Sequence, residues 1–363
     1  MSTFAEFCLI ALALYLWESM LWLPLRGVAL RKSLRGNKWR VLEPDRWLAM
    51  REIGMVPLPP LIGAGRIAPC QTPPLMVDDE GRWLLETGNG KRILIDAPEW
   101  DDLTPKAHHL GVGKYESRLS SPQILASLKR ARKKGLSPAQ AVRQAWRLAL
   151  SPIRAAREWR RWRLVSGPLG WMCPTLTCGF FVGLPALYLN TGSFRTLCFA
   201  GWLWTVMLLI AAQLWWLGRR VYPGARAALQ MDALLAAIVP FHAMRARELA
   251  AVHAMGSTHP AALILADSDI RNPWLATWIR SLAFPRPGQA ADVLASNAIT
   301  APLDRALARD FLAIADFSYP PEIGDDPSAA AYCPRCHSRY LPGVVTCADC
   351  GGLSVLPVPG GSA

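Results

Sequence analysis

The chain has 363 residues, 52% of them apolar and only 18% charged, with a formal net charge of +13. A mean hydropathy of +0.18 excludes a disordered chain and is too high for an ordinary soluble enzyme. Nine cysteines spread over this length exclude a disulfide scaffold. High hydropathy beside high charge points to a membrane protein whose charge is concentrated in a few places.

In chain order, the first apolar window is Phe4 to Leu25, interrupted by Glu6 and Glu18. It is long enough to cross about 30 Å of hydrocarbon as a helix. A cleaved signal peptide would need a basic start and small residues after the apolar core. Here Glu6 precedes the core and Trp22 and Pro24 close it, so an uncleaved span is expected. Two further windows, Leu169 to Leu189 and Thr196 to Leu217, are separated by Asn190 to Arg195 and read as a helical hairpin. Trp17, Trp22, Trp171, Trp202, Trp215 and Trp216 stand near the window ends, where interfacial anchors belong.

Basic residues set the expected orientation. Arg26, Arg31, Lys32, Arg35, Lys38 and Arg40 follow the first window, a run of arginines precedes the second, and Arg219, Arg220 and Arg226 follow the third. The hairpin loop carries only Arg195. The expected topology is a bacterial inner-membrane protein with its N-terminus outside and two cytoplasmic segments, about 26–168 and 218–363.

Residues 26–120 read as a small β-rich module. Strands are expected over Pro73–Val77, Arg82–Glu86 and Arg92–Asp96. Asp78-Asp79-Glu80-Gly81 supplies one turn and Asn89-Gly90 a hairpin turn that needs positive φ. In residues 121–168, Ser121-Pro122, Ser137-Pro138 and Ser151-Pro152 each open a run of helix formers. Serine caps free N–H groups and proline suits the first turn.

These helices carry Lys129, Arg130, Arg132, Lys133, Lys134, Arg143, Arg147, Arg154, Arg157, Arg160, Arg161 and Arg163 against one acid, Glu158, a local net of +11. Ten of them (Lys129, Arg130, Arg132, Lys133, Lys134, Arg154, Arg157, Arg160, Arg161 and Arg163) are the candidate contacts to anionic lipid headgroups, each worth about 1 kcal/mol near a charged surface. Trp146, Trp159 and Trp162, interleaved among them, suit partial immersion in the membrane interface. Nucleic acid is the less favoured partner for this charge, because a bilayer lies next to it.

Residues 218–328 read as a helical domain, with helices expected over Ala225–Ala254, Trp274–Ala283, Gln289–Ser296 and Ala301–Asp316. His242 and His253, placed on one helix, would stand about 16 Å apart, too far to share a metal. They form, with His259, Asp267 and Asp269, a weak acid–base candidate, and Glu18 is another. Asp267-Ser-Asp269 is similar to the metal-holding pair of nucleotide-sugar glycosyltransferases, but no nucleotide-binding βαβ pattern precedes it. Buried or surface structural roles are the simpler expectation for all of these.

The one strong motif lies in residues 329–363. Cys333-Pro-Arg-Cys336 is followed ten residues later by Cys347-Ala-Asp-Cys350-Gly-Gly. Two such pairs are what tetrahedral zinc needs, and a reducing compartment favours thiolates over disulfides. The stretch from Tyr332 to Gly351 resembles the short bacterial zinc-ribbon module, departing from it at His337, where a glycine commonly sits. The resemblance covers about 25 residues and implies structural zinc on Cys333, Cys336, Cys347 and Cys350, since four cysteines leave no position open for water.

The expected fold is an α+β membrane protein. It has three transmembrane helices (1–25 and a hairpin within 169–217), a β-rich cytoplasmic module, basic juxtamembrane helices, a helical C-terminal region and a zinc ribbon. The expected function is a non-enzymatic interaction or scaffold component that docks a protein through the ribbon. The alternatives are a membrane-embedded enzyme acting on a lipid-linked substrate and a membrane-tethered nucleic-acid binder.

Overall fold

The computed structural model describes residues 28–32, 39–42, 67–70, 73–86, 92–103, 122–191, 193–317 and 329–358, with Ile10, Ala11 and Ala13. The rest of the Phe4–Leu25 window, including Glu18, and the Asn89-Gly90 turn lie outside the described residues. The chain forms two compact units. One comprises residues 1–71, 121–126 and 156–257; the other comprises 72–120, 127–155 and 258–363.

The first unit holds an antiparallel sheet of β1 (Val28–Lys32), β2 (Trp39–Leu42) and β3 (Ile67–Cys70), ordered β2-β1-β3. Its helices include most of the third Ser-Pro helix, whose full extent is Pro152–Val165. Trp159 of that helix is buried edge-on against Trp39, 4.9 Å between ring centroids. Trp162 is buried as well. Both indoles therefore pack inside the protein, which corrects their expected place at a membrane interface: on this helix 159 and 162 fall on the inward stripe, while Arg157, Arg160, Arg161 and Arg163 point outward.

Among the described residues, two helical stretches are long and apolar enough to cross a membrane, Gly167–Tyr188 and Phe194–Val221. A further stretch reaches that apolarity only as a broken pair, Ala246–Met255 with Pro260–Ala266. The first long stretch joins Gly167–Cys178 to Leu184–Thr191 through a π-turn at Gly179–Gly183. Gly179 and Gly183 let the partner helix Ser193–Trp216 come close, because a Cβ at either would stand under 3.0 Å from Leu203 or Phe199. Small residues four apart are how apolar helices approach without a hydrophobic drive. Trp171, Val182, Phe194, Leu197, Trp204 and Leu209 are exposed along these helices, an apolar surface too large for water alone.

The expected helix Ala225–Ala254 is instead three helices, Arg226–Ile238, Pro240–Met244 and Ala246–Met255. Pro240 cannot donate to a continuing helix and opens the second piece. At Arg245, with φ −104° and ψ 1°, the backbone leaves the helical region again.

The second unit has an antiparallel sheet ordered β4-β5-β6, from β4 (Leu75–Val77), β5 (Trp83–Glu86) and β6 (Arg92–Ile95). Gly81 takes φ +83° in the first turn. Asp78 fixes that turn, its carboxylate accepting from the Arg82 amide and Nε, each at 2.8 Å. Helix Pro138–Ala149 begins on a capping box in which Ser137 Oγ accepts from the Gln140 amide and Gln140 Oε1 accepts from the Ser137 amide. Its buried stripe of Ala141, Val142, Ala145, Trp146 and Ala149 faces the core, and Trp146 Nε1 donates to the Leu75 carbonyl at 2.7 Å. Trp146 is thus a core residue too, not an interfacial one. The two expected helices over 289–316 are one, Ala290–Leu307, followed by short 3₁₀ turns, and Pro302 is accommodated inside it.

Candidate metal centre

The C-terminal element is built from five two-residue strands. β7 (Ala331–Tyr332) pairs with β8 (Arg339–Tyr340) and with β11 (Leu356–Pro357), and β9 (Thr346–Cys347) pairs with β10 (Leu353–Ser354). Two tight turns leave these strands with the two cysteine pairs facing each other. In the first, the Cys333 amide donates to Ser338 O and the His337 amide to Cys333 O, both at 2.9 Å. His337 has φ +62°, the left-handed conformation that explains why glycine is usual there and that histidine tolerates better than most residues. In the second, Gly351 and Gly352 take φ +69° and +85°.

The sulfurs of Cys333, Cys336, Cys347 and Cys350 all lie within 4.8 Å of one another. Cys336 Sγ and Cys347 Sγ are 3.7 Å apart. Four sulfurs at ~2.3 Å from one ion stand about 3.8 Å apart along a tetrahedral edge, so the cluster could hold a metal ion. The distance is far beyond a disulfide, which is about 2.05 Å. Cys333, Cys347 and Cys350 are buried and Cys336 is exposed. Tyr340, Leu353 and Val355 pack against them. Tyr340 Oη donates to Cys347 Sγ at 2.9 Å, and Ser338 Oγ is 3.1 Å from Cys336 Sγ. Burial pushes the Cys350 thiol up. At Cys336 partial loss of solvation is outweighed by hydrogen bonding with Ser338, Cys333 and Cys350, and the thiol falls to about 7. His337 does not join the cluster.

The first turn is seated on the helices of its own unit. Arg335 donates to the Phe284 carbonyl at 2.9 Å and reaches Asp292 Oδ2 at 3.4 Å. Arg92 of β6 takes Asp292 Oδ1 at 2.9 Å. Arg280 Nε donates to the Arg335 carbonyl at 3.4 Å. Asp292 thus joins sheet, helix and ribbon. The loop between the cysteine pairs has the opposite character, with Leu341 60% and Val345 71% exposed.

Of the basic candidates, Lys129, Arg130, Arg132, Lys133 and Lys134 lie in the second unit, where Arg132 pairs with Asp101 at 3.1 Å. Arg154 is half-buried there, whereas Arg157, Arg160, Arg161 and Arg163 are exposed in the first unit.

The histidine set is divided differently from the sequence expectation. His242 Nε2 and His253 Nε2 lie 3.3 and 3.1 Å from the two oxygens of Asp232. The break between their helices brings together residues that a single straight helix would hold about 16 Å apart. Burial raises the Asp232 carboxyl, but the adjacent imidazoles outweigh it and hold the group below its usual range. His259, Asp267 and Asp269 belong to the other unit. His259 is buried, its Nδ1 accepts from the Ala261 amide as a helix cap, and its ring lies 4.4 Å from Trp278. Asp232 is the member that sequence reasoning missed, although a signal existed: it is a carboxylate on the same helical face as the buried Leu229, Ala233 and Ala236.

Comparison with protein families, curated proteins and solved structures finds no match to this chain.

Proposed function

We propose that this chain is a non-enzymatic scaffold of a bacterial inner membrane, with its N-terminus outside and a zinc ribbon that docks a protein partner on the cytoplasmic side. The observation that carries this reading is the ribbon: four converging cysteines with one turn seated inward and an apolar loop, Leu341 to Val345, turned outward. Zinc is the metal that fits four thiolates in a tetrahedral, redox-silent site, and the cysteines would contribute folding energy rather than chemistry. Lys129, Arg130, Arg132, Lys133, Lys134, Arg154, Arg157, Arg160, Arg161 and Arg163 would hold the adjacent surface to anionic headgroups. The enzyme alternative has less support, because Asp232, His242 and His253 tie three helices together, with Asp232 and His242 buried.

The test is affinity purification of the full chain from gently solubilised membranes, comparing wild type with Leu341→Asp/Val345→Asp. One stoichiometric protein is expected with wild type and absent with the variant, while zinc stays at one equivalent per chain. No reproducible partner with wild type, or equal retention by the variant, overturns the docking role.

A further inference from the structure

The end of the helical stretch Phe194–Val221 carries a cleft that the proposed function does not use. It has a volume of about 840 Å³ and is lined by Ala212, Trp215, Trp216, Arg219, Arg220 and Arg226. The local backbone explains the convergence. Positions 212, 215, 216, 219 and 220 share one face at helical spacing. The last turn, Leu217–Val221, widens into a π-turn, with the Tyr222 amide bonded to Leu217 O at 2.8 Å. Such turns are frequent at functional sites. The chain then reverses at Pro223–Ala225, and Arg226 opens the next helix. Gly218 allows the close return, since a Cβ there would stand 3.2 Å from Leu229 Cβ and 3.3 Å from the Arg226 carbonyl.

Two observations identify the ligand chemistry. Among the described residues no carboxylate pairs with Arg219, Arg220 or Arg226, although Arg82, Arg92, Arg132 and Arg335 all have acidic partners. Three exposed guanidinium groups converging without an acid call for an anion. Beside them the indoles of Trp215 and Trp216 are exposed, and a soluble anion has no use for that apolar surface. Both features sit where an apolar helix of 28 residues ends, the depth at which tryptophan and arginine meet lipid headgroups.

We propose that this cleft seats the headgroup of one anionic phospholipid, its phosphate on Arg219, Arg220 and Arg226 and its glycerol and proximal acyl chain against Trp215 and Trp216. The proposal rests on the reading of Phe194–Val221 as a membrane span, and it adds a discrete site to the diffuse attraction of the basic helices.

Native mass spectrometry of the detergent-purified full chain tests it, with phosphatidylglycerol, phosphatidylcholine or inorganic phosphate as the probe. Wild type is expected to retain phosphatidylglycerol over phosphatidylcholine, with retention falling roughly fivefold for each arginine removed. Arg219→Gln/Arg220→Gln/Arg226→Gln should abolish the preference, and Arg271→Gln/Arg305→Gln/Arg309→Gln, an equal charge change at exposed arginines of the other unit, should keep it. Should the first triple fail to fold, Arg226→Gln alone, outside the span, carries the same prediction at one step. Equal lipid retention by wild type and the cleft variant overturns the site. Displacement of the lipid by millimolar phosphate overturns the lipid as its ligand. An alkaline carbonate wash of membranes separates this failure from that of the span: a chain that stays in the pellet but shows no lipid preference loses only the cleft proposal.

Discussion

His259 is a buried histidine that caps the helix following it. In sequence it stands near two other histidines and two aspartates. In the fold its ring is enclosed by Trp146, Trp274 and Trp278, and its Nδ1 serves as an acceptor for the next helix. Burial drives its pKa from 6.5 down to about 3. The unfolded chain therefore binds a proton below pH 6.5 that the folded chain refuses. Stability is full above pH 6.5 and falls on acidification by about 1.4 kcal/mol per pH unit, until the folded pKa is approached. His259→Asn keeps a good cap and removes the titration. Its melting temperature, followed by tryptophan fluorescence, should be lower than wild type at pH 7.5 but should fall less between pH 6.5 and 5. Parallel pH profiles for the two proteins would refute this assignment. The four cysteines, by contrast, are legible from spacing alone, because a metal's ligands sit on turns of fixed length and need no distant partner.

At the scale of elements, legibility follows how local each cause is. Helices begin at Pro122, Pro138 and Pro152, and at the last two the preceding serine hydroxyl accepts a helix amide, since a cap and a fixed φ act within one turn. The strands flanking Asp78–Gly81 are also where the turn residues put them. Basic neighbours draw the tryptophans toward a membrane surface on paper, while the 3.6-residue period already puts Trp146 on an apolar stripe. Continuous helix formers hide the breaks within 226–255, although Pro240 marks the first of them. No local signal announces the seat of the ribbon, because Arg92, Asp292 and Arg335 are brought together from three distant stretches. Asp292 is buried between both arginines, so removing it leaves two cations without their partner. Asp292→Ala should cost about 3 kcal/mol. Hydrogen exchange should quicken in β7, β8 and helix Pro273–Ala283 while the metal content of the purified chain stays that of wild type. Unchanged protection would show that the ribbon is held by other contacts.

For the whole molecule, the apolar helices and the cysteine ribbon belong to different units. Under the proposed function, anchoring and docking would be built from separate pieces of chain. It also makes the chemistry of the metal the decisive question, because a reactive metal would change the reading of the entire chain. A closed four-thiolate shell supports a docking module, whereas an open coordination position would support an enzyme. Absorption spectroscopy of the purified full chain loaded with cobalt(II) reads that difference directly. Thiolate-to-cobalt charge-transfer bands and intense tetrahedral ligand-field bands are expected, unmoved by added imidazole and altered in Cys347→Ser. Bands that shift with imidazole would reveal an open position on the metal and contradict a closed four-thiolate shell.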